Sequence, residues 1–261
     1  MLKASRHFEG VFLRILAELT SAERSDFCYL YCRKRPPTPP IPPNEEEMLL
    51  LFHELKDENM ISSSNVSFLI EFTDTILRYD LTNILLEYKS EVEVGTILEE
   101  YVDFRDENPL NVDSLEMSPT QIVSKHLSRK FRDCSEPLTK IVRLSKDTSF
   151  QDDLRLSIDE MTREGNELCW SSILQILGFS SELAYRRMCL FPGPSKFHRL
   201  LSDIDDVRLV LQEFKILSWM AQNGGAAGCV KFIKKQDPAE MARQKETRIL
   251  ISQIAEQYTT L

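Results

Sequence analysis

No cluster of residues in this sequence has the types and spacing that catalysis or metal binding requires. Its four histidines, His7, His53, His126 and His198, lie far apart, and none has a cysteine or carboxylate neighbour at the spacing of a metal site or a proton relay. Cys28 and Cys32 share one face of a helix and could give two zinc ligands, although two packed or surface thiols are the simpler reading. Gly224-Gly225 follows a helix rather than a strand, so it is not a phosphate loop. With Cys134, Cys169, Cys189 and Cys229 the cysteines number six and form no paired framework, which reads as reduced, intracellular thiols. A helical enzyme with a site around Cys169 or Cys189 is the catalytic alternative. The expectation is a chain that is not an enzyme, uses no cofactor or metal, and acts through protein surfaces. A net charge of -9 opposes a phosphate-binding face, so no nucleic acid is expected among its partners.

The elements that must carry such surfaces are helices, because apolar residues recur with period 3.6 and two-residue alternation is almost absent. The predicted fold class is all-α. At 261 residues the chain can bury two modest cores. Phe8, Val11, Phe12, Ile15, Leu16 and Leu19 form one stripe, and Thr20 with Glu23 spells a capping box that opens a second helix carrying Phe27, Tyr29 and Leu30. Half of the prolines then fall between Arg35 and Pro43, where a helix is excluded and an exposed irregular loop, a spacer or a polyproline ligand, is expected. Further helices carry Met48, Leu49, Phe52 and Leu55, then Phe68, Leu69, Phe72 and Ile76, and a short one runs from Asp80 to Tyr88. Residues 91–117, rich in acids, read as a partly helical linker between a domain over 1–90 and a second over 118–236; residues 237–261 make a charged C-terminal tail. Residues 1–10 lack the apolar core of a signal peptide, and no run approaches the ~20 apolar residues of a bilayer span. A soluble chain without a transmembrane anchor is expected.

Short amphipathic helices in about 90 residues, laid out as a set of six in which the proline stretch replaces the third, with Arg78-Tyr79-Asp80-Leu81 at the junction before the last, resemble a death effector domain. That family carries an Arg-x-Asp-Leu motif there and an acid early in its second helix, here Glu23. The resemblance implies a surface triad of Glu23, Arg78 and Asp80, in which one guanidinium fork holds two carboxylates, beside an apolar patch to which Phe27, Tyr29 and Leu81 would belong. It also implies assembly of like with like. Glu23 is equally explained by the capping box and Asp80 by N-capping the last helix.

The second half resembles the B-cell lymphoma (Bcl) family of apoptosis regulators. Trp170 matches the tryptophan of the first homology motif, Ile173 and Leu174 continue its apolar helix, and Phe179-Ser180-Ser181 stands for its aromatic and small pair. The Gly and Arg positions hold Ser171 and Ser172. In family members that Arg pairs with an Asp on a bound amphipathic helix, so its replacement implies weak binding of such helices. Trp219, Asn223, Gly224 and Gly225 keep the second motif, although Ala226 and Ala227 replace the Trp and Asp that follow. Pro119 to Phe131 is similar to the family's first helix, and Leu138 to Asp147 is the nearest stretch to its third motif, with Lys146 where a small residue belongs.

Together the resemblances imply a six-helix death-fold bundle followed by a Bcl-like bundle around a central hydrophobic helix. They imply an apoptosis regulator acting by protein binding, inhibitory in sign, placed in the cytoplasm or peripherally at mitochondrial or endoplasmic reticulum membranes. Its partners would be death effector domain proteins, adaptor or initiator caspase, and death-promoting amphipathic helices. A decoy or adaptor in which only the first domain works is the alternative. The helix from about 169 to 179, apolar on nearly every side, should be the most buried element, wrapped by helices around Val123, Ile158 and Phe214, with Trp170 close to Trp219.

Overall fold

Thr20 ends one helix and begins the next. Its backbone N–H donates to Glu23 Oε2 at 2.7 Å while the Glu23 N–H donates to Thr20 Oγ1 at 3.3 Å, the reciprocal pair of a capping box. Such local signals punctuate a computed structural model that describes residues 2–34, 45–106, 117–132, 149–162, 168–190 and 196–235. Among the described residues there are eleven helices and no strand: α1 (Leu2–Glu18), α2 (Ser21–Lys34), α3 (Glu45–Asp57), α4 (Ser67–Thr75), α5 (Tyr79–Asp106), α6 (Pro119–Phe131), α7 (Phe150–Thr162), α8 (Trp170–Leu190), α9 (Lys196–Glu213), α10 (Ile216–Gln222) and α11 (Gly225–Lys235). The loop expected from Arg35 to Pro43, the stretch from Leu138 to Asp147 and the tail over 237–261 lie outside the described residues.

The chain divides into two compact units, Met1–Val92 and Glu93–Leu261. In the first, the stripe of α1 buries Phe8, Phe12, Ile15 and Leu16 against Leu51, Phe52 and Leu55 of α3, with the Phe12 and Phe52 rings stacked at 3.8 Å. Phe27 of α2 meets Phe68 and Phe72 of α4 edge-on, at 5.5 and 4.7 Å, and Leu81, Leu85 and Tyr88 of α5 close the core. The α4–α5 turn is fixed by a left-handed Leu77 (φ 59°), by Arg78 N–H donating to the Thr73 carbonyl at 2.9 Å, and by the Thr82 hydroxyl donating to that of Thr73 at 2.9 Å.

Two expectations need correction here. The last helix of the first unit does not stop near Tyr88, and residues 91–106 are no linker: α5 runs 28 residues, and Val94, Ile97, Leu98 and Tyr101 are fully buried in the second core. Their i, i+3, i+4, i+7 spacing makes a helical stripe that the surrounding acids and Gly95 obscure. Gly95 leaves the space that the Arg208 guanidinium occupies. Five helices, counting the N-terminal half of α5, build the first unit among its described residues.

In the second unit α6 opens with a complete capping box of Ser118 and Gln121 and with Pro119 at its first position. α8 packs against α6, α7 and α9, and its residues from Ile176 to Ala184 are buried without a break. The expectation of a central apolar helix agrees with this, although α8 reaches Leu190 rather than ending near Phe179. Gly178 belongs to the packing, because the Phe131 ring lies where a Cβ would stand. Gly224 and Gly225 do more than stop a helix. With φ of +87° and +57° they turn the chain between α10 and α11, and Glu93 Oε2 accepts the Ala226 N–H at 2.7 Å at the start of α11, in the space a Gly225 side chain would need.

Candidate functional site

In the first unit the turn after α4 delivers Arg78 to the start of α5, where Asp80 sits in the first turn, and the capping box of α2 delivers Glu23. Arg78 Nε and Nη2 donate to Asp80 Oδ1 and Oδ2 at 2.9 and 2.8 Å, a bidentate fork, while Nη1 reaches both Glu23 oxygens at 3.2 and 3.3 Å. Glu23 therefore serves the capping box and the arginine together; the two explanations of that residue were never exclusive. The Arg78 bonds hold the Asp80 carboxyl down at about 2. Partial burial pulls Glu23 upward, but hydrogen bonds from Thr20 and Arg78 outweigh it and leave its carboxyl below the usual range.

Sequence reasoning missed a fourth member, Glu18 at the end of α1. Its carbonyl accepts from Arg78 Nη1 at 3.1 Å, and its carboxylate stands 3.7 Å from Nη2 and 3.6 Å from Arg14 Nε. The i, i+4 pair of Arg14 and Glu18 was the available signal. The apolar patch does not form as expected, because Phe27 and Leu81 point into the core and only Tyr29 of the three is exposed. Each sits on the inward stripe of its helix. The large apolar side chains that do face solvent beside the arginine are its neighbours Leu77, 67% exposed, and Tyr79, 57% exposed.

In the second unit the Trp170 and Trp219 rings meet edge-on with centroids 5.0 Å apart, so the two motifs come together. Gly228 of α11 provides close approach for the Trp170 ring, whose Cζ2 would lie 2.9 Å from a Cβ there. Ile173 and Phe179 are core residues and Ser171 is buried. The hydroxyl of the half-buried Ser172 is occupied locally: it accepts the Cys169 N–H at 3.0 Å and donates to the Cys169 carbonyl at 2.9 Å, closing the start of α8. Asn223 caps α10, its side-chain amide donating to the Trp219 carbonyl at 2.8 Å.

Two polar groupings in this unit were not foreseen. Glu182 of α8 is fully buried and accepts from Tyr101, Arg105 and Arg186. Asp203 of α9, also buried, faces Arg187 at 3.3 Å in an open cavity of about 580 Å³ that Phe150, His198 and Asp206 also line, and Arg187 lies 4.6 Å over the Phe150 ring. Burial raises the Asp203 carboxyl to about 6 against the pull of Arg187. Cys28 is buried with its thiol 4.0 Å from the Met48 sulfur, and the Cys32 side chain lies outside the described residues. Among the described residues no three His, Cys, Asp or Glu side chains converge as metal ligands, and no helix is long and apolar enough to cross a membrane.

His126 gives the second unit a pH signature. Its Nε2 is buried without a hydrogen-bond partner, and burial, then Lys130 and Arg129, hold the imidazolium down to about 4. An unfolded chain protonates this ring near ~6.5, so between there and pH 4 the unfolded state binds more protons and His126 costs stability as acid is added. Asp203 acts in the opposite sense, since its raised carboxyl binds a proton first in the folded state and its contribution shrinks as pH rises from 4 to 6. A His126→Phe variant should therefore keep more of its pH 7 stability at pH 5 than the native chain, as urea unfolding at both values would measure; an unchanged ratio contradicts it.

No family model, curated protein or solved structure matches the chain.

Proposed function

We propose that the chain regulates apoptosis through protein contacts, with the first unit acting as a death effector module that joins death effector proteins, an adaptor or an initiator caspase, in the cytoplasm. The observation that carries this reading is the Arg78 fork holding Asp80 and Glu23 on the surface, the constellation that the family resemblance requires. A fixed guanidinium with carboxylates on both sides presents an ordered polar patch, which sets register and partner choice more than raw affinity. The test is capture by an immobilised death effector domain of an initiator caspase. Native chain should be retained and Arg78→Glu lost at equal folded content by circular dichroism; equal retention of both removes the reading.

The second unit is proposed as a Bcl-like scaffold whose hold on death-promoting helices is weak, which favours the decoy or adaptor version of the function. What supports this is Ser172: it stands where the family keeps its helix-binding Arg, carries no charge, and spends its hydroxyl on the Cys169 backbone. Charge-assisted pairing with a ligand Asp is thereby lost. Calorimetry with such helices should give dissociation constants in the micromolar range or weaker, and Ser172→Arg should tighten them by about tenfold or more, the ~1.5–3 kcal/mol of a charged hydrogen bond. Nanomolar binding by the native chain is the contrary result.

A further inference from the structure

Charge is unevenly shared among the helices of the second unit. α6 carries Lys125, Arg129 and Lys130 and α11 carries Lys231, Lys234 and Lys235, with no acid in either, whereas every other described helix that holds a basic residue also holds an acid. These two helices pack against each other. Lys125, Arg129 and Arg132, the residue that follows α6, fall at i, i+4 and i+7, and the lysines of α11 fall at i, i+3 and i+4, so each helix bears one basic stripe. Each stripe lies opposite the buried side of its helix, which is Val123, Leu127 and Phe131 on α6 and Ala226, Cys229 and Val230 on α11. The stripes of these two neighbours therefore look out on the same side.

Cations in a last turn complement the carbonyl end of a helix, which accounts for Arg129, Lys130, Lys234 and Lys235. It does not account for Lys125 and Lys231, nor for first turns that carry no acid in either helix. Arg129, Arg132, Lys231, Lys234 and Lys235 are exposed, and among the described residues none of the five meets a carboxylate. The acids that α5 brings to these helices, Glu93 and Glu100, accept from the Ala226 N–H and from the Thr120 and Ser124 hydroxyls. His126 lies in the resulting field: the charged groups that act on its ring are Lys130 and Arg129, with no carboxylate against them. A chain with a net charge of -9 thus keeps one face positive.

We propose that the basic face of α6 and α11 docks the second unit on an anionic membrane surface, with Arg129, Arg132, Lys231, Lys234 and Lys235 among the lipid headgroups. Three of these five are lysines, point charges on flexible stems, which suit headgroups that move sideways better than the planar forks that read fixed phosphates or carboxylates. Ile122, three residues before Lys125 on the α6 stripe, and Phe232, next to Lys231, are only half-buried. The boundary between headgroups and acyl chains accepts such apolar area, and the phosphate backbone of a nucleic acid does not. A plane also meets this face alone, so the acidic remainder of the chain stays where salt screens it. No residue of the Arg78 cluster takes part.

Flotation of the full chain with lipid vesicles tests it. The chain should float with vesicles of phosphatidylcholine and phosphatidylserine mixed at about two to one, stay behind with phosphatidylcholine alone, and be released as salt rises to about 0.5 M. Each cation near such a surface strengthens partitioning about fivefold, so Arg129→Gln should weaken it about fivefold and Lys231→Gln with Lys235→Gln about 25-fold, at equal helical content by circular dichroism. Lys56→Gln, in the first unit, should leave flotation unchanged. The proposal is overturned by equal flotation with both kinds of vesicle, by no flotation, or by stripe variants that float as the native chain does. It is overturned too if duplex DNA or polyglutamate holds the chain through the same lysines while the vesicles do not, since the face would then serve a nucleic acid or an acidic protein. Arg78→Glu, which should abolish capture by a death effector domain, should float as the native chain does, so each proposal can fail without the other.

Discussion

A fragment beginning at residue 118, where sequence composition places the second domain, should fail to fold, whereas one beginning at residue 93 should give a cooperative helical domain. The first fragment loses Val94, Ile97, Leu98 and Tyr101, all fully buried. At ~1.5–3 kcal/mol for each large apolar side chain, their burial amounts to roughly 6–12 kcal/mol, as much as the whole margin of ~5–15 kcal/mol that holds an ordinary domain. The polar losses compound this. Glu93 no longer meets the Ala226 N–H at the start of α11, the carbonyl of Ile97 no longer receives the Ser124 hydroxyl at 2.9 Å, and Arg105 no longer meets Glu182. Circular dichroism melts of the two fragments decide the matter. A sharp transition in the shorter one would show that the 93–106 helix only decorates a core that is complete without it.

Why composition hides this helix is a matter of what the acids do. Between residues 91 and 106 the sequence shows Glu91, Glu93, Glu99, Glu100, Asp103 and Asp106 around a glycine, the profile of a solvated connector. In the structure Glu93 sits at the start of α11, Glu100 accepts from Thr120 at 3.2 Å, and Asp106 accepts from Tyr185 at 2.7 Å. These three acids are partners of other helices, and their roles depend on residues 20 to 133 positions away that no local pattern displays. The apolar stripe was present in the letters, yet four residues of a periodic pattern weigh little against such a background.

Signals that are both local and periodic were legible. The Thr20–Glu23 capping box, the central run after Trp170 and the arginine junction at 78–80 each lie within a few residues, and each is realised. The contact of Trp170 with Trp219 followed from the layout of the two resembling motifs. Partition between core and surface on a single helix was less legible: Phe27 and Tyr29 are two residues apart, point to opposite sides of α2, and look equally able to make a patch. The same holds for Glu182. After Ser180-Ser181, on a helix with arginines four and five residues ahead, it resembles an ordinary solvated acid, and only the long-range arrival of Tyr101 and Arg105 makes it a core residue.

Removing that carboxylate is the substitution expected to damage the second unit most. Glu182 accepts from the Tyr101 hydroxyl and Arg105 Nε on one oxygen, and from Arg105 Nη2 and Arg186 Nε, each at 2.8 Å, on the other. Both guanidinium groups also lie against the Tyr185 ring, at 5.4 and 5.6 Å. Glu182→Ala leaves two cations and a phenol around an empty site, with the Arg105 side chain only 9% exposed. An uncompensated buried charge of this kind costs about 3–5 kcal/mol. Tyr101→Phe removes one hydrogen bond and should cost nearer ~1 kcal/mol. The decisive comparison is the double change Glu182→Leu with Arg105→Met, which removes both charges and fills the space with apolar atoms; it should destabilise less than Glu182→Ala, because a buried pair and its apolar replacement are often close in energy while half a pair is not. Urea unfolding of the three variants measures the order. A Glu182→Ala loss below ~1 kcal/mol, within the range of exposed ion pairs, would mean that water reaches the arginines and that the helix carrying Tyr101 and Arg105 is held by its apolar stripe alone.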